Sequence, residues 1–281
     1  MDLSINLGYI LKRNNGGGRP GYVNNEPRFP LEYGLQMAKE IGFKKIDFDG
    51  SGCTDVEKTR EIINGYGLTV NQSHAPCNFF MQKDYDWFAR HLLNSIKFCQ
   101  KLGSEIFVVH GNQMDRSKPY VPAEVLEFNY RLYSPIVEFA AINGMKVAFE
   151  NTITNEKQPS FCSNAEELIA LTEKFADSGA VGICWDLGHG NVMFDPHSVP
   201  EMAKTKDWLI ATHVHDNYFG RDMHGIPFSG NLDWNAVMQT LKDIDYKGDF
   251  TFEFVYKNYP DELVKDILQF AYKAGNYLLS L

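Results

Sequence analysis

The sequence predicts a single-domain α/β protein, a (β/α)8 TIM barrel, and three observations carry that expectation. Short β-rich runs alternate with longer amphipathic segments along the whole chain, the pattern of parallel strands joined by right-handed helical crossovers. A length of 281 residues suits one such barrel, which typically needs about 250. No linker, low-complexity tract or shift in composition divides the chain, so residues 1–281 are read as one domain.

Taken in order, strands are expected at residues 3–7, 45–48, 68–72, 105–109, 146–149, 181–185, 209–214 and 250–254. Helices are expected at 31–41, 55–65, 85–102, 122–143, 164–175, 200–205, 234–244 and 261–279. Gly42, Gly67, Gly103 and Gly144 each fall just past the last apolar-periodic residue of one of the first four helices, where a left-handed terminus is wanted. Ser163 with Glu166 three residues on suggests a capping box for the fifth. The stretch 11–30 carries Gly16-Gly17-Gly18, Pro20 and Gly21, and its length marks it as a lid or a disordered loop. Arg13 and Arg19 within it are candidates to meet an anionic substrate, or simply solvated surface charges.

Composition removes several functional classes. A net charge of −9 argues against a protein whose main task is gripping a phosphate backbone, so nucleic acid is not the expected partner. No apolar run approaches the roughly 20 residues of a membrane span. Met1-Asp2-Leu3 leads straight into a strand-like pattern with no signal-peptide features, so the cytoplasm is the expected location. Cys53, Cys77, Cys99, Cys162 and Cys184 are odd in number and never form a C-x-x-C pair, which fits free thiols.

Chemistry concentrates at strand ends. In Ala211-Thr212-His213-Val214-His215 an extended backbone puts both histidines on one face, and Asp222 and His224 follow in the loop beyond. His74 follows the third strand, His110 ends the fourth and His189 follows the sixth; only His91 and His197 lie elsewhere. Glu150 closes the fifth strand, Asp186 the sixth, and Glu253 interrupts the apolar run of the eighth. In a barrel these ends open onto one face, where active sites are built. A lone carboxylate at such a place is usually the cap of the next helix. Three buried carboxylates converging with imidazoles instead call for a cation or a proton.

In this order Ser73-His74-Ala75-Pro76, Phe149-Glu150-Asn151, Trp185-Asp186-Leu187-Gly188-His189, His213-Val214-His215-Asp216-Asn217, Asp222-Met223-His224 and Phe252-Glu253 resemble the xylose isomerase-like TIM barrels. That superfamily contains sugar and sugar-phosphate isomerases and epimerases and also endonuclease IV. The resemblance to its ketose epimerases implies one divalent metal (Mn²⁺, Mg²⁺ or Co²⁺) held by Glu150, Asp186, His213 and Glu253. It implies Glu150 and Glu253 as the catalytic pair. Glu156 and His189 fall on substrate-binding positions, while the substrate-binding arginine is matched by Phe219, leaving Arg221 as a stand-in. His74, His110 and His215 complete the expected substrate contacts.

Resemblance to endonuclease IV, which holds three Zn²⁺, implies further ligands among His74, His110, His189, Asp222 and His224. The leading expectation is a metal-dependent isomerase or epimerase of a small hydroxy-carbonyl compound (sugar, sugar phosphate or inositol-type), working through an enediolate between two opposed glutamates. Phe79, Phe80, Trp185 and Phe254 are candidates to line the pocket or to pack the core. The alternative is a multi-zinc phosphodiesterase. The expected partner is a small carbohydrate, with no membrane, and homo-oligomerisation stays open.

Overall fold

In the computed structural model, which describes residues 1–14, 25–50, 52–76, 85–112, 119–155, 159–218, 220–254 and 259–281, almost wholly buried strands alternate with helices buried on one face. The chain runs β1 (Leu3–Asn6), α1 (Leu7–Leu11), β2 (Lys12–Asn14), β3 (Asn25–Pro27), α2 (Leu31–Ile41), β4 (Lys45–Asp47), α3 (Val56–Gly65), β5 (Thr69–His74), α4 (Tyr85–Leu102) and β6 (Ile106–His110). It continues with α5 (Pro122–Ile142), β7 (Lys146–Glu150), α6 (Ala165–Glu173), β8 (Val181–Asp186), α7 (Leu187–Phe194), α8 (Ser198–Ala203) and β9 (Leu209–Val214). Then come β10 (Asp216–Tyr218), β11 (Arg221–Gly225), α9 (Trp234–Asp243), β12 (Phe250–Phe252) and α10 (Val264–Ser280).

Eight of these strands close into a parallel barrel in the order β1-β12-β9-β8-β7-β6-β5-β4, with β4 returning to β1. The expected (β/α)8 TIM barrel is therefore the fold. Its outer shell follows from the helical period. Phe88, Leu92, Ile96, Cys99 and Leu102 form the buried stripe of α4, and Val264, Leu268, Ala271, Gly275 and Leu278 that of α10. Each fully buried large side chain of this kind contributes about 1.5–3 kcal/mol.

The interior follows from the strand period of two. Val108, Ala148, Cys184 and Ala211 pack together inside the barrel, and the residues two positions further along β6, β7, β8 and β9 are His110, Glu150, Asp186 and His213. Small apolar side chains thus form a floor beneath the site. On the β1, β5 and β12 side the floor is polar: Ser4 Oγ donates to Asn71 Oδ1 (2.8 Å), and Asn71 Nδ2 reaches Thr251 Oγ1 (3.3 Å).

Gly42, Gly67, Gly103 and Gly144 all adopt positive φ, as their placement after helices predicts. The capping box of α6 is displaced by one residue. Asn164, not Ser163, is the cap and accepts from Glu167 N–H (2.9 Å), while the Glu167 carboxylate accepts from Ser163 N–H (3.1 Å). Burying Ala165, Leu168 and Leu171 selects this phase.

Other segments differ from the sequence reading. The first strand ends at Asn6 and α1 follows it; β2 and β3 pair as an antiparallel ribbon at the ends of the 11–30 stretch. Helix α8 begins at Ser198 rather than at residue 200. Cys53, Cys99, Cys162 and Cys184 are free thiols. Among the described residues no helix is long and apolar enough to cross a membrane.

Candidate metal centre

Glu150, Asp186, His213 and Glu253 stand at the ends of β7, β8, β9 and β12, four neighbouring strands of the barrel. Ladder register levels them: Asp186 is the direct partner of His213, and Glu253 N–H donates to Val214 O (3.0 Å) just past β12. His213 Nδ1 lies 2.9 Å from Glu150 Oε1, 3.1 Å from Glu253 Oε2 and 4.0 Å from Asp186 Oδ2. One ligand atom from each of the four residues falls within 4.8 Å of the others, and all four residues are buried.

Further groups of donors adjoin or overlap this one, and His74 also groups with His213 and Glu253. Glu150 Oε2 lies 3.0 Å from both His74 Nε2 and His110 Nε2, so this carboxylate is shared between the central group and a neighbouring His74, His110 and Glu150 group. On the other side His189, His215, Asp222 and His224 form a group of their own. The rings of His215 and His224 stack with centroids 3.9 Å apart, and Asp222 Oδ1 lies 3.4 Å from His224 Nε2. Asp186 joins the groups, its carboxylate lying 3.0 Å from His215 Nε2.

Asp186 also answers the capping reading of strand-end carboxylates, because its Oδ1 accepts from His189 N–H (2.7 Å) at the start of α7. One carboxylate both caps a helix and faces the cluster. His189 therefore sits in the first turn of a helix. Its Nδ1 lies 2.9 Å from Asn151 O. Asp222 and His224, expected in a loop, instead belong to β11, which pairs with β10 as an antiparallel hairpin.

The pattern reading missed the groups that hold these residues. Asn151 Oδ1 accepts from Asp186 N–H (2.6 Å) and its Nδ2 donates to Asp186 O (2.9 Å), clasping the ends of β7 and β8. Asn217 Nδ2 donates to Gly188 O (2.8 Å), and the Asp216 carboxylate accepts from Trp234 Nε1 (3.1 Å). Gln72 lies 2.7 Å behind His213. Polar residues interrupting otherwise apolar stretches were their signal, but such residues do not name their partners.

Charge in the cluster is balanced internally. Burial acts to raise Glu150, but His213 and His110 outweigh it and hold its carboxyl well below the usual range. The same contest, won by His189 and His215, sets Asp186 at about 2; won by His213, it sets Glu253 at about 2. Burial acts to lower His74, yet Glu150 raises it well above an ordinary histidine. His224, despite burial, is raised to about 10 by Asp222. His215 is lowered, because burial there prevails over the pull of Asp186. Without a cation, protons on the imidazoles compensate the carboxylates.

Of the other candidates, Arg221 is exposed at the start of β11. Trp185 and Phe254 are buried in the core. Glu156, Phe79, Phe80, Cys77, Phe219, Arg19 and the Arg13 side chain lie outside the described residues.

Residues 35–274 match the family described as Xylose isomerase-like TIM barrel. An uncharacterised protein, y4fM, of Sinorhizobium fredii is 26% identical over 259 residues, covering 79% of this chain and 80% of that protein. Among solved structures, a D-tagatose 3-epimerase-like protein superposes with a TM-score of 0.75 at 21% identity, over 99% of each chain. An IOLI protein with a binding zinc atom superposes with a TM-score of 0.72 at 15% identity, over 100% of this chain and 98% of the other. At such identities the structural likeness is one of fold.

Proposed function

The chain belongs to the xylose isomerase-like TIM barrel family, and on that premise we propose that it is a divalent-metal-dependent isomerase or epimerase of a small hydroxy-carbonyl compound. The observation that carries this reading is the pair of buried glutamates, Glu150 and Glu253, which meet at His213 Nδ1 at 2.9 and 3.1 Å. A binding module needs no such pair. Similarity of fold to a D-tagatose 3-epimerase-like protein supports a sugar, sugar phosphate or inositol-type substrate.

The donor set fits a cation. Three buried carboxylates converge, and among the described residues their ion-pair partners are imidazoles only. Mixed carboxylate and imidazole donors suit Mn²⁺, Mg²⁺, Co²⁺ or Zn²⁺, and the fold neighbour named for its zinc supports that choice. When bound, the cation would draw charge from a substrate carbonyl, worth several kcal/mol in the transition state. Glu150 and Glu253, both held ionised, would take a proton from one face of the reacting carbon and return one to the other. His74, His110, His189 and His215 surround that position and would donate to substrate hydroxyls, with Glu156 and Arg221 as further contacts.

A second reading draws on the two flanking donor groups, His74 with His110 and Glu150, and His189 with His215, Asp222 and His224. Three cations there would suit phosphodiester hydrolysis. Elemental analysis of protein purified without chelator, with assays on abasic DNA and on a panel of ketoses, keto-inositols and their phosphates, separates the two. Solvent deuterium entering the substrate carbon with one stoichiometric cation supports the isomerase. Three cations with strand cleavage would replace it by the hydrolase, and wild-type turnover by Glu150→Gln or Glu253→Gln would remove the two-carboxylate mechanism.

A further inference from the structure

Behind the ring of His213, on the side away from the carboxylates, stands a pair of polar residues with no place in the chemistry above. Gln72 of β5 and Asp47 of β4 are both 1% exposed, and the two are cross-strand partners. Gln72 Nε2 lies 2.7 Å from His213 Nε2 and 3.3 Å from Asp47 Oδ2, while its Oε1 accepts from Thr251 Oγ1 at 3.3 Å. Asn6 Nδ2 donates to the same Asp47 oxygen at 3.2 Å. Such residues are out of place in a barrel interior, which is ordinarily filled by branched apolar side chains.

A neutral imidazole has one bare nitrogen and one that carries hydrogen. With Nδ1 turned toward Glu150, Asp186 and Glu253, a cation at that point needs Nδ1 bare, so the hydrogen must sit on Nε2. There it faces an amide, and an amide nitrogen cannot accept it. A half-turn of the amide exchanges its oxygen for its nitrogen at almost no cost in shape. The oxygen would then receive Nε2–H and the amide nitrogen would donate to Thr251 Oγ1, while Asp47 Oδ2, 3.3 Å away, would lose its bond from the amide and keep the one from Asn6.

We propose that Gln72 is a positioning residue of the metal centre: its amide turns to present Oε1 to the Nε2 hydrogen of His213, which leaves Nδ1 bare for the cation. This rests on His213 being a ligand, as in the proposed function. Hydrogen-bond partners of this kind orient ligating histidines, and their removal typically costs about 10–100-fold in metal affinity. Gln72→Met keeps the volume and removes the acceptor.

The test is the apparent Zn²⁺ affinity of the full chain, stripped of metal and titrated against a competing chelator at fixed pH, with the melting temperature of each metal-free variant as the folding control. Gln72→Met should bind at least about tenfold more weakly. A smaller loss overturns the proposal. If wild type itself binds no Zn²⁺, the metal-dependent function falls and takes this inference with it. If wild type binds and Gln72→Met binds equally well, the inference alone falls. Should Gln72→Met not fold, ¹⁵N-histidine NMR of the Zn²⁺-loaded wild type decides. Metal at Nδ1 with a downfield, hydrogen-bonded Nε2–H supports the turned amide; metal at Nε2, or an Nε2–H without that shift, overturns it.

Discussion

Glu150, Asp186, His213 and Glu253 stand at the ends of four neighbouring barrel strands and are buried, whereas Asp222 and His224 stand on a two-stranded hairpin and their side chains are 36% and 17% exposed. Both groups use carboxylate and imidazole donors. The strand-borne group takes its geometry from the barrel ladder, where Asp186 lies in direct register with His213 and β7, β8 and β9 pair in parallel. The hairpin group depends on a two-stranded sheet whose pairing shifts between Asp216 and Tyr218, and such ribbons are marginal on their own. The first group is therefore built for fixed chemistry.

The largest expected difference is in turnover. Glu253→Gln should lower kcat by about 10²–10⁴, the usual worth of an acid or base in place. Asp222→Asn should lower kcat/KM less than about tenfold, as a lost hydrogen bond to substrate does. Equal losses in steady-state assays on the panel substrate would break the distinction and favour a multi-cation centre. Next in size is cation retention. After dialysis against a chelator, elemental analysis should find a strand-borne cation kept and any hairpin-borne one lost, since the hairpin donors are more exposed to water and chelator. Simultaneous loss would make the two groups one site.

Gly188 sharpens the comparison from the structural side. A Cβ at this position would lie 2.0 Å from His215 Cε1, inside the van der Waals contact of the ring. Gly188→Ala must displace His215 and with it the stacked His224, at a cost of about 1–3 kcal/mol by overpacking. Thermal melts should show that loss, while Zn²⁺ affinity at His213 stays within a few-fold. An unchanged melting temperature would mean that the ring has room to move.

Legibility followed the same division. The strand-borne residues could be singled out because a period of two and the shared C-terminal face of parallel strands are local rules, while their choice as a ligand set came from the family resemblance. His213 and Glu150 needed no knowledge of their partners to be singled out. Helix α7 escaped because Leu187–Phe194 carries two glycines and little amphipathic pattern. Its reason for being lies in contacts, Gly188 against His215 and Gly190 against Trp185. The hairpin escaped because Tyr218 pairs with Arg221 and the clearest local signal between them is Gly220, at positive φ. That turn signal was overshadowed by the histidines around it. Asn151 and Gln72 were visible as polar residues near strand ends, yet only the closed barrel shows that one clasps Asp186 and the other backs His213.

The smallest expected effect is on pH dependence, and it separates protons from cations as the charges that balance the site. In the metal-free protein Asp222 and its neighbours raise His224 to about 10, above the roughly 6.5 of an unfolded histidine. A raised folded value means that its stabilisation is complete below the unfolded value and is lost as pH climbs through the folded one. His74, raised by Glu150 against burial, and His213, raised against burial by Cys184, Glu150 and Glu253, act in the same sense. Metal-free protein should therefore melt at lower temperature as pH rises from about 6.5 toward 10. A bound cation takes the place of those protons, so its apparent affinity should rise over the same interval and its binding should release protons. Calorimetry in buffers of different ionisation enthalpy counts them. A binding event that releases none near pH 7 would mean that the imidazoles are already neutral, and that the carboxylates are balanced in some other way.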